Sequence, residues 1–217
     1  AYGSIVGGGR NATILHYIRN DRPLAAGELV LIDAGVEYQG YASDVTRTYP
    51  IGGRFVGAAR DLYTVVLDAQ QAAHAASKPG ATLPEIHQTT IRVLVDGLRS
   101  LGILSGSTDE IVSKELYRPY YMHGTSHWLG LDVHDVGAYV VRQDDGTTKP
   151  RPLASGMVYT IEPGLYVAAD DEKAPKAFRG IGIRIEDDVV VTETGILNLT
   201  RDIPKSIDAL EAWVSGD

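Results

Sequence analysis

The run GELVLID, residues 27–33, places a short apolar stretch between a glycine and an aspartate. Leu29, Val30, Leu31 and Ile32 are continuous, and Gly27 and Gly35 bracket the segment, so 28–34 reads as a buried strand. The run GMVYTIE, residues 156–162, repeats the pattern of glycine, apolar strand and, six residues on, a carboxylate. Each run is followed by a second strand-like segment with its own acid. These are GYASDVTRTYPI (40–51) with Asp44 and GIGIRIEDDVVVTE (180–193) with Glu186. The repetition predicts two related halves around one site.

Four acids at the ends of apolar strands need compensation, because an ionised carboxylate is costly in such surroundings. Antiparallel pairing of 28–34 with 40–51 brings Asp44 beside Asp33, and two like charges cannot both stay ionised there without a cation. A plainer reading makes Asp33 a turn cap, Asp44 a partner of Arg47 and Glu186 a partner of Arg184. Taken with the histidines of HGTSHWLGLDVHD (123–135), the four acids Asp33, Asp44, Glu162 and Glu186 point instead to a hard-to-borderline metal site. Two divalent ions balance four carboxylates, and one neutral imidazole completes the set. An oxygen-rich set without thiolate favours Mn²⁺, with Co²⁺ or Zn²⁺ as alternatives.

Between the two strand regions the pattern turns helical. Leu62, Val65, Val66, Ala69 and Ala73 keep a helical period that Pro79-Gly80 stops. Thr82 with Glu85 forms a capping box for a second helix, which puts Ile91, Leu94, Val95, Leu98 and Leu101 on one face and ends at Gly102. A polar helix is expected near 108–116 and a closing helix at Ile207, Leu210 and Val214. Segments 142–152 and 168–180 read as surface loops. His74 and His87 read as surface or packing residues of the two helices, and Trp128 as a packing residue. Gly7-Gly8-Gly9 lacks the Lys-Ser/Thr of a phosphate loop and reads as a turn or rim of the site.

The net charge of −8 argues against a nucleic-acid partner. Cysteine is absent, no apolar run approaches the ~20 residues that span a bilayer, and no secretory signal is visible, so a cytoplasmic protein without membrane association is expected. The chain starts at Ala1, and its first half lacks the helices that precede the second, so a longer protein is expected.

IDAGVEYQGYASDVTRTYP, HGTSHWLGLDVHD, TIEPGLY and GIRIEDD, in this order, closely resemble the aminopeptidase P and prolidase group of two-metal peptidases. The resemblance covers nearly all of 1–217. It implies an α+β pita-bread catalytic domain with two pseudo-symmetric halves, a curved, mostly antiparallel sheet and flanking helices. It also implies an N-terminal domain, absent here, whose place a companion fragment could take, and the chain could form a homo-oligomer. The implied metal ligands are Asp33, Asp44, His127, Glu162 and Glu186. His123 and His134 are implied to contact the substrate carbonyl or move protons, as is His16, which alone would read as a hydrogen-bonded core residue. Tyr166 and Arg184 match positions around the site. The implied reaction is release of the N-terminal residue from a peptide with proline second, by attack of a metal-bridging hydroxide on the Xaa-Pro bond with Glu162 as proton acceptor. Prolidase activity on Xaa-Pro dipeptides is the nearest alternative. A non-catalytic pita-bread binding module and a metal-free amidinohydrolase fit the intact ligand set less well, and the fit to methionine aminopeptidase is poorer.

Overall fold

The computed structural model describes residues 1–216; Asp217, the last residue of the expected domain, lies outside them. Strand β2 (Leu29–Ala34) is the middle of an antiparallel three-stranded sheet, between β1 (Ile5–Gly8) and β5 (Val45–Pro50). Gly7 and Gly8 are therefore strand residues rather than a rim. A Cβ on Gly7 would lie 2.9 Å from the Ala12 backbone, because a 3-10 turn over Gly9–Thr13 folds directly onto the strand. Gly9, at φ 55°, makes that reversal.

The second half uses β8 (Val158–Ile161), β9 (Gly164–Val167), β10 (Ile181–Arg184), β11 (Asp187–Val191) and β12 (Ile196–Asn198). β8, β11 and β12 form one antiparallel sheet in the order β12-β11-β8, and β9 pairs with β10. The strand expected over 180–193 breaks in two at Ile185-Glu186, and the strand that ends at Glu162 resumes as β9 beyond Pro163. Pro163 has no N–H to continue a ladder, and its carbonyl accepts instead from Ile185 N at 3.2 Å. Glu186 N donates to Thr46 O at 3.0 Å, which joins this half to β5. The 40–51 segment also breaks. Residues Glu37–Tyr38 (β3) and Tyr41–Ala42 (β4) form a small hairpin, and Asp44 falls in the gap before β5. Both halves thus contain an antiparallel pair, β2 with β5 and β8 with β11, with acids where the strands begin and end.

Helix α1 (Gly57–Ala76) packs on β9 and β10, and α2 (Leu83–Ser100) packs on α1, in one core that includes Leu62, Val66, Ile91, Leu94, Leu165 and Ile183. Helix α3 is shorter than expected, Thr108–Ser113. In α4 (Ile207–Ser215) only Leu210 is fully buried; Val214 is 39% exposed, so the closing helix rests on fewer residues than its period suggested. The polar 142–152 segment is partly a hairpin, β6 (Val140–Arg142) with β7 (Thr148–Pro150), turned by Gly146 at φ 85°. Its strands are largely exposed and carry no apolar alternation to betray them. Segment 168–180 is anchored by buried Ala174 and Phe178.

Arg47, 2% exposed, fastens the two halves. Its Nε donates to Pro204 O, Nη1 to Thr46 O and Glu186 O, and Nη2 to Ile203 O and Asp187 Oδ1, the last at 2.7 Å. All five guanidinium hydrogens are used. Buried Asp187 also accepts from Gln70, Asn198, Thr200 and Lys205, and His74 Nε2 lies 3.4 Å away. Arg47 therefore serves Asp187 and the backbone of Glu186, not Asp44.

The capping box of α2 forms as read: Thr82 N donates to Glu85 Oε2 at 2.8 Å and Glu85 N to Thr82 Oγ1 at 3.4 Å. Thr82→Ala is expected to cost about 1 kcal/mol in urea unfolding, while Thr82→Ser keeps most of that stability. Equal midpoints for the two variants would contradict the cap's role.

Candidate metal centre

The four acids and His127 converge on one cavity of about 270 Å³, which His16, His123, His134 and Arg184 also line. Carboxylate oxygens of Asp33, Asp44 and Glu186 lie within 4.8 Å of one another, and so do ligand atoms of His127, Glu162 and Glu186. The two triads share Glu186. A third group, Asp44, His127 and His134, overlaps both.

Strand geometry explains the convergence. Asp33 pairs with Thr46 across the sheet, and Asp44, two residues before Thr46, lies on the same side. Thr46 Oγ1 donates to Glu186 Oε2 at 2.6 Å, and Asp44 N donates to Asp188 Oδ2 at 3.1 Å. Glu162 N donates to Thr125 O at 2.8 Å, which fixes its backbone against the histidine loop. His127 Nδ1 lies 3.0 Å from Trp128 O and so carries the hydrogen; Nε2 faces Asp44 Oδ2 at 3.3 Å and Glu162 Oε1 at 3.5 Å. That tautomer offers a lone pair to a cation.

Without a cation the acids compete for protons. Burial pushes Glu186 well above the usual carboxylate range, and Glu162, Asp44 and Asp33 add to the rise while Arg184 opposes it. Burial likewise raises Glu162 to about 7 and Asp33, the latter against the pull of Arg184. Asp44 goes the other way: burial raises it, but the His127 ring and the Tyr2 hydroxyl beside it outweigh that. His127 rises because Asp44 and Glu162 overcome its burial. Glu186 Oε1 is buried without a hydrogen-bond partner. An orphaned carboxylate oxygen amid three further acids and one imidazole lone pair suits divalent cations, so the residues fit a metal.

The remaining expected residues divide. Arg184, 4% exposed, gives Nη2 to Asp33 Oδ2 at 2.5 Å, Nε to Thr46 Oγ1 and Nη1 to Tyr166 OH, so its partner is Asp33 and not Glu186. Tyr166 is buried behind His123, whose Nε2 it meets at 2.8 Å. His123 Nδ1 lies 2.8 Å from Gly124 O and 3.8 Å from Glu162 Oε2. Burial, helped by Arg184, lowers His123 to about 3, so it is neutral at physiological pH. His16 and His134 are exposed at the mouth, His16 being no core residue, and the His134 ring stands 4.2 Å from that of His127. Trp128 is buried against Tyr159 as expected.

The sequence reading missed Tyr2, whose hydroxyl meets both Asp33 Oδ1 and Asp44 Oδ1. It also missed Thr46 and Asp188. None stands in a local pattern; each reaches the site through a partner 31 to 144 residues away.

A profile of metallopeptidase family M24 matches residues 1–193. The chain belongs to metallopeptidase family M24. Among its M24 relatives, Xaa-Pro aminopeptidase of Escherichia coli is 50% identical over 98% of this chain and 46% of its own length. Xaa-Pro aminopeptidase 3 of mouse is 40% identical over 97% of this chain and 40% of its own length. A variant of E. coli aminopeptidase P in complex with substrate superposes with a TM-score of 0.93 at 49% identity, covering 99% of this chain and 47% of that one. Pseudomonas aeruginosa aminopeptidase PepP gives 0.94 at 48% identity, covering 99% and 48%. The chain has the pita-bread M24 fold and spans about half the length of these relatives. M24 enzymes are metallopeptidases, which accords with the donor set. Among the described residues no helix is long and apolar enough to cross a membrane.

Metal binding must displace protons from the raised acids. His123, held at about 3, is neutral in the folded chain on both sides of pH 7, so the protons the folded site holds there are those of the raised acids and of His127, which is raised too. Raised Glu162 and Glu186 hold protons that the unfolded chain has lost, so metal-free stability falls as pH rises through about 7. The gain in melting temperature from saturating Mn²⁺ is therefore expected to be larger at about pH 7.5 than at about pH 6. A pH-independent gain would contradict this origin.

Proposed function

We propose that the chain forms the catalytic domain of a two-metal exopeptidase that releases the N-terminal residue from peptides with proline at the second position. The observation that carries this is the pair of donor triads sharing Glu186, beside an open histidine-lined cavity. The names of the M24 relatives support the choice of substrate. Asp33, Asp44 and Glu186 would hold one ion, and His127, Glu162 and Glu186 the other. The oxygen-rich donors favour Mn²⁺, with Co²⁺ or Zn²⁺ as alternatives.

Ions bound there would supply a water ionised near neutral pH and would polarise the scissile carbonyl. Glu162, whose carboxylate faces His127 and His123 across the cavity, would accept the water's proton and pass it to the departing proline nitrogen, which leaves as a secondary amine. His16 and His134, at the mouth, are placed to donate to the substrate carbonyl as charge develops on its oxygen. Arg184 and Tyr2 hold Asp33, and Tyr166 holds His123, so these act through the groups they orient. The acid-lined cavity attracts a free amino terminus.

Xaa-Pro-Xaa tripeptides, Xaa-Pro dipeptides and Xaa-Ala-Xaa controls, each with and without Mn²⁺, test the reading in the full chain. Metal-dependent cleavage confined to the tripeptide is expected, with loss of cleavage on N-acetylation. Cleavage of the dipeptide alone would move the activity to prolidase. Glu162→Gln is expected to lower kcat by at least about 10²-fold. A variant within a few fold of wild type would remove Glu162 from proton transfer.

A further inference from the structure

His87 on α2 stands behind the loop that joins His123 to His127. Its Nδ1 lies 2.7 Å from Thr125 Oγ1, and Tyr121 OH meets the same hydroxyl oxygen at 2.7 Å. Thr125 is 2% exposed and Tyr121 1%. Thr125 O in turn accepts the Glu162 amide. The Tyr121 ring packs edge-on against His123, with centroids 4.9 Å apart. One small residue therefore joins α2, the histidine loop and the backbone of Glu162.

Counting hydrogens assigns the directions. Buried Tyr121 has Thr125 Oγ1 as the acceptor for its hydroxyl, and burial holds its phenol well above its usual range, so it keeps the proton and donates. Thr125 then has one hydrogen left, and His87 Nδ1 is the acceptor beside it. Any other arrangement leaves a buried hydroxyl hydrogen without an acceptor, at a cost of about 1–3 kcal/mol. His87 is therefore the neutral tautomer with its hydrogen on Nε2.

We propose that His87 is a positioning residue for the metal centre: as acceptor for Thr125 it fixes the 124–126 turn, and with it the spacing of His123, His127 and Glu162. The role in turnover rests on the peptidase reading; the role in holding the turn does not. Displacements near 1 Å at a reacting group can cost about 10²-fold in rate, and a released turn carries three such groups at once. The effect belongs in kcat, since His87 touches no substrate.

Two variants separate positioning from packing. His87→Asn can return a carbonyl oxygen near the Nδ1 position, whereas His87→Leu fills the space without an acceptor. In the metal-loaded full chain, His87→Leu is expected to lower kcat about tenfold at unchanged KM and metal content. His87→Asn is expected to stay within about threefold of wild type. Hydrogen exchange gives an arm that needs no turnover: the Glu162 amide should exchange about tenfold faster in the Leu variant and near the wild-type rate in the Asn variant. Equal rates and equal exchange in both variants, whether both unchanged or both impaired, would overturn the proposal. If wild type cleaves no Xaa-Pro peptide, the peptidase reading fails and exchange alone decides the part played by His87.

Discussion

Burial of negative charge governs this molecule. A carboxylate in a dry interior costs several kcal/mol unless it is paired, protonated or bound to a cation. The fold brings Asp33, Asp44, Glu162 and Glu186 to one cavity and provides a fixed cation, Arg184, for Asp33. Two neighbouring acids show what complete compensation looks like. Asp187 is fully buried yet held well below the usual carboxylate range, because His74, Arg47 and Lys205 outweigh its burial. Asp188, with one orphaned oxygen, is pushed up to about 7 by burial and by Asp44. Asp33, Glu162 and Glu186 are raised as Asp188 is, whereas Asp44 is held low by His127 and Tyr2; acids raised by burial and by one another cluster where charge is exchanged.

The breaks in the strands follow from the same constraint. A continuous strand through Glu162 or Glu186 would point successive side chains to opposite faces and hand their backbone groups to one neighbour. Breaking at Pro163 and at Ile185-Glu186 lets the backbone bond across to β5 and to the histidine loop. Each acid is then aimed by a backbone tie of its own. Arg47 holds the Glu186 carbonyl from behind, so the direction of this acid is set by a buried guanidinium whose ion pair is with Asp187, outside the cavity.

Local signals were legible in the sequence and distant ones were not. The α2 capping box, the apolar face from Ile91 to Leu98 and the β2 run rest on neighbours within a few residues, and all appear as read. The repeated strand-to-acid pattern was enough to bring the four acids together. The β6/β7 hairpin was hidden because exposed polar strands need no apolar alternation, and Gly7-Gly8 because glycine carries no strand signal. Tyr2, Thr46 and Asp188 acquire meaning only through partners far along the chain. His87 reads as a surface or packing residue in the sequence because its informative contact, with Thr125, spans 38 residues.

Cations, rather than protons or Arg184 alone, are expected to balance the four acids. Elemental analysis with calorimetric titration of Mn²⁺ into the chelator-stripped full chain tests this most directly. Two ions per chain at saturation are expected, with proton release that grows when the titration starts at lower pH. Saturation at one ion, or none, would contradict the charge balance from which the site has been argued.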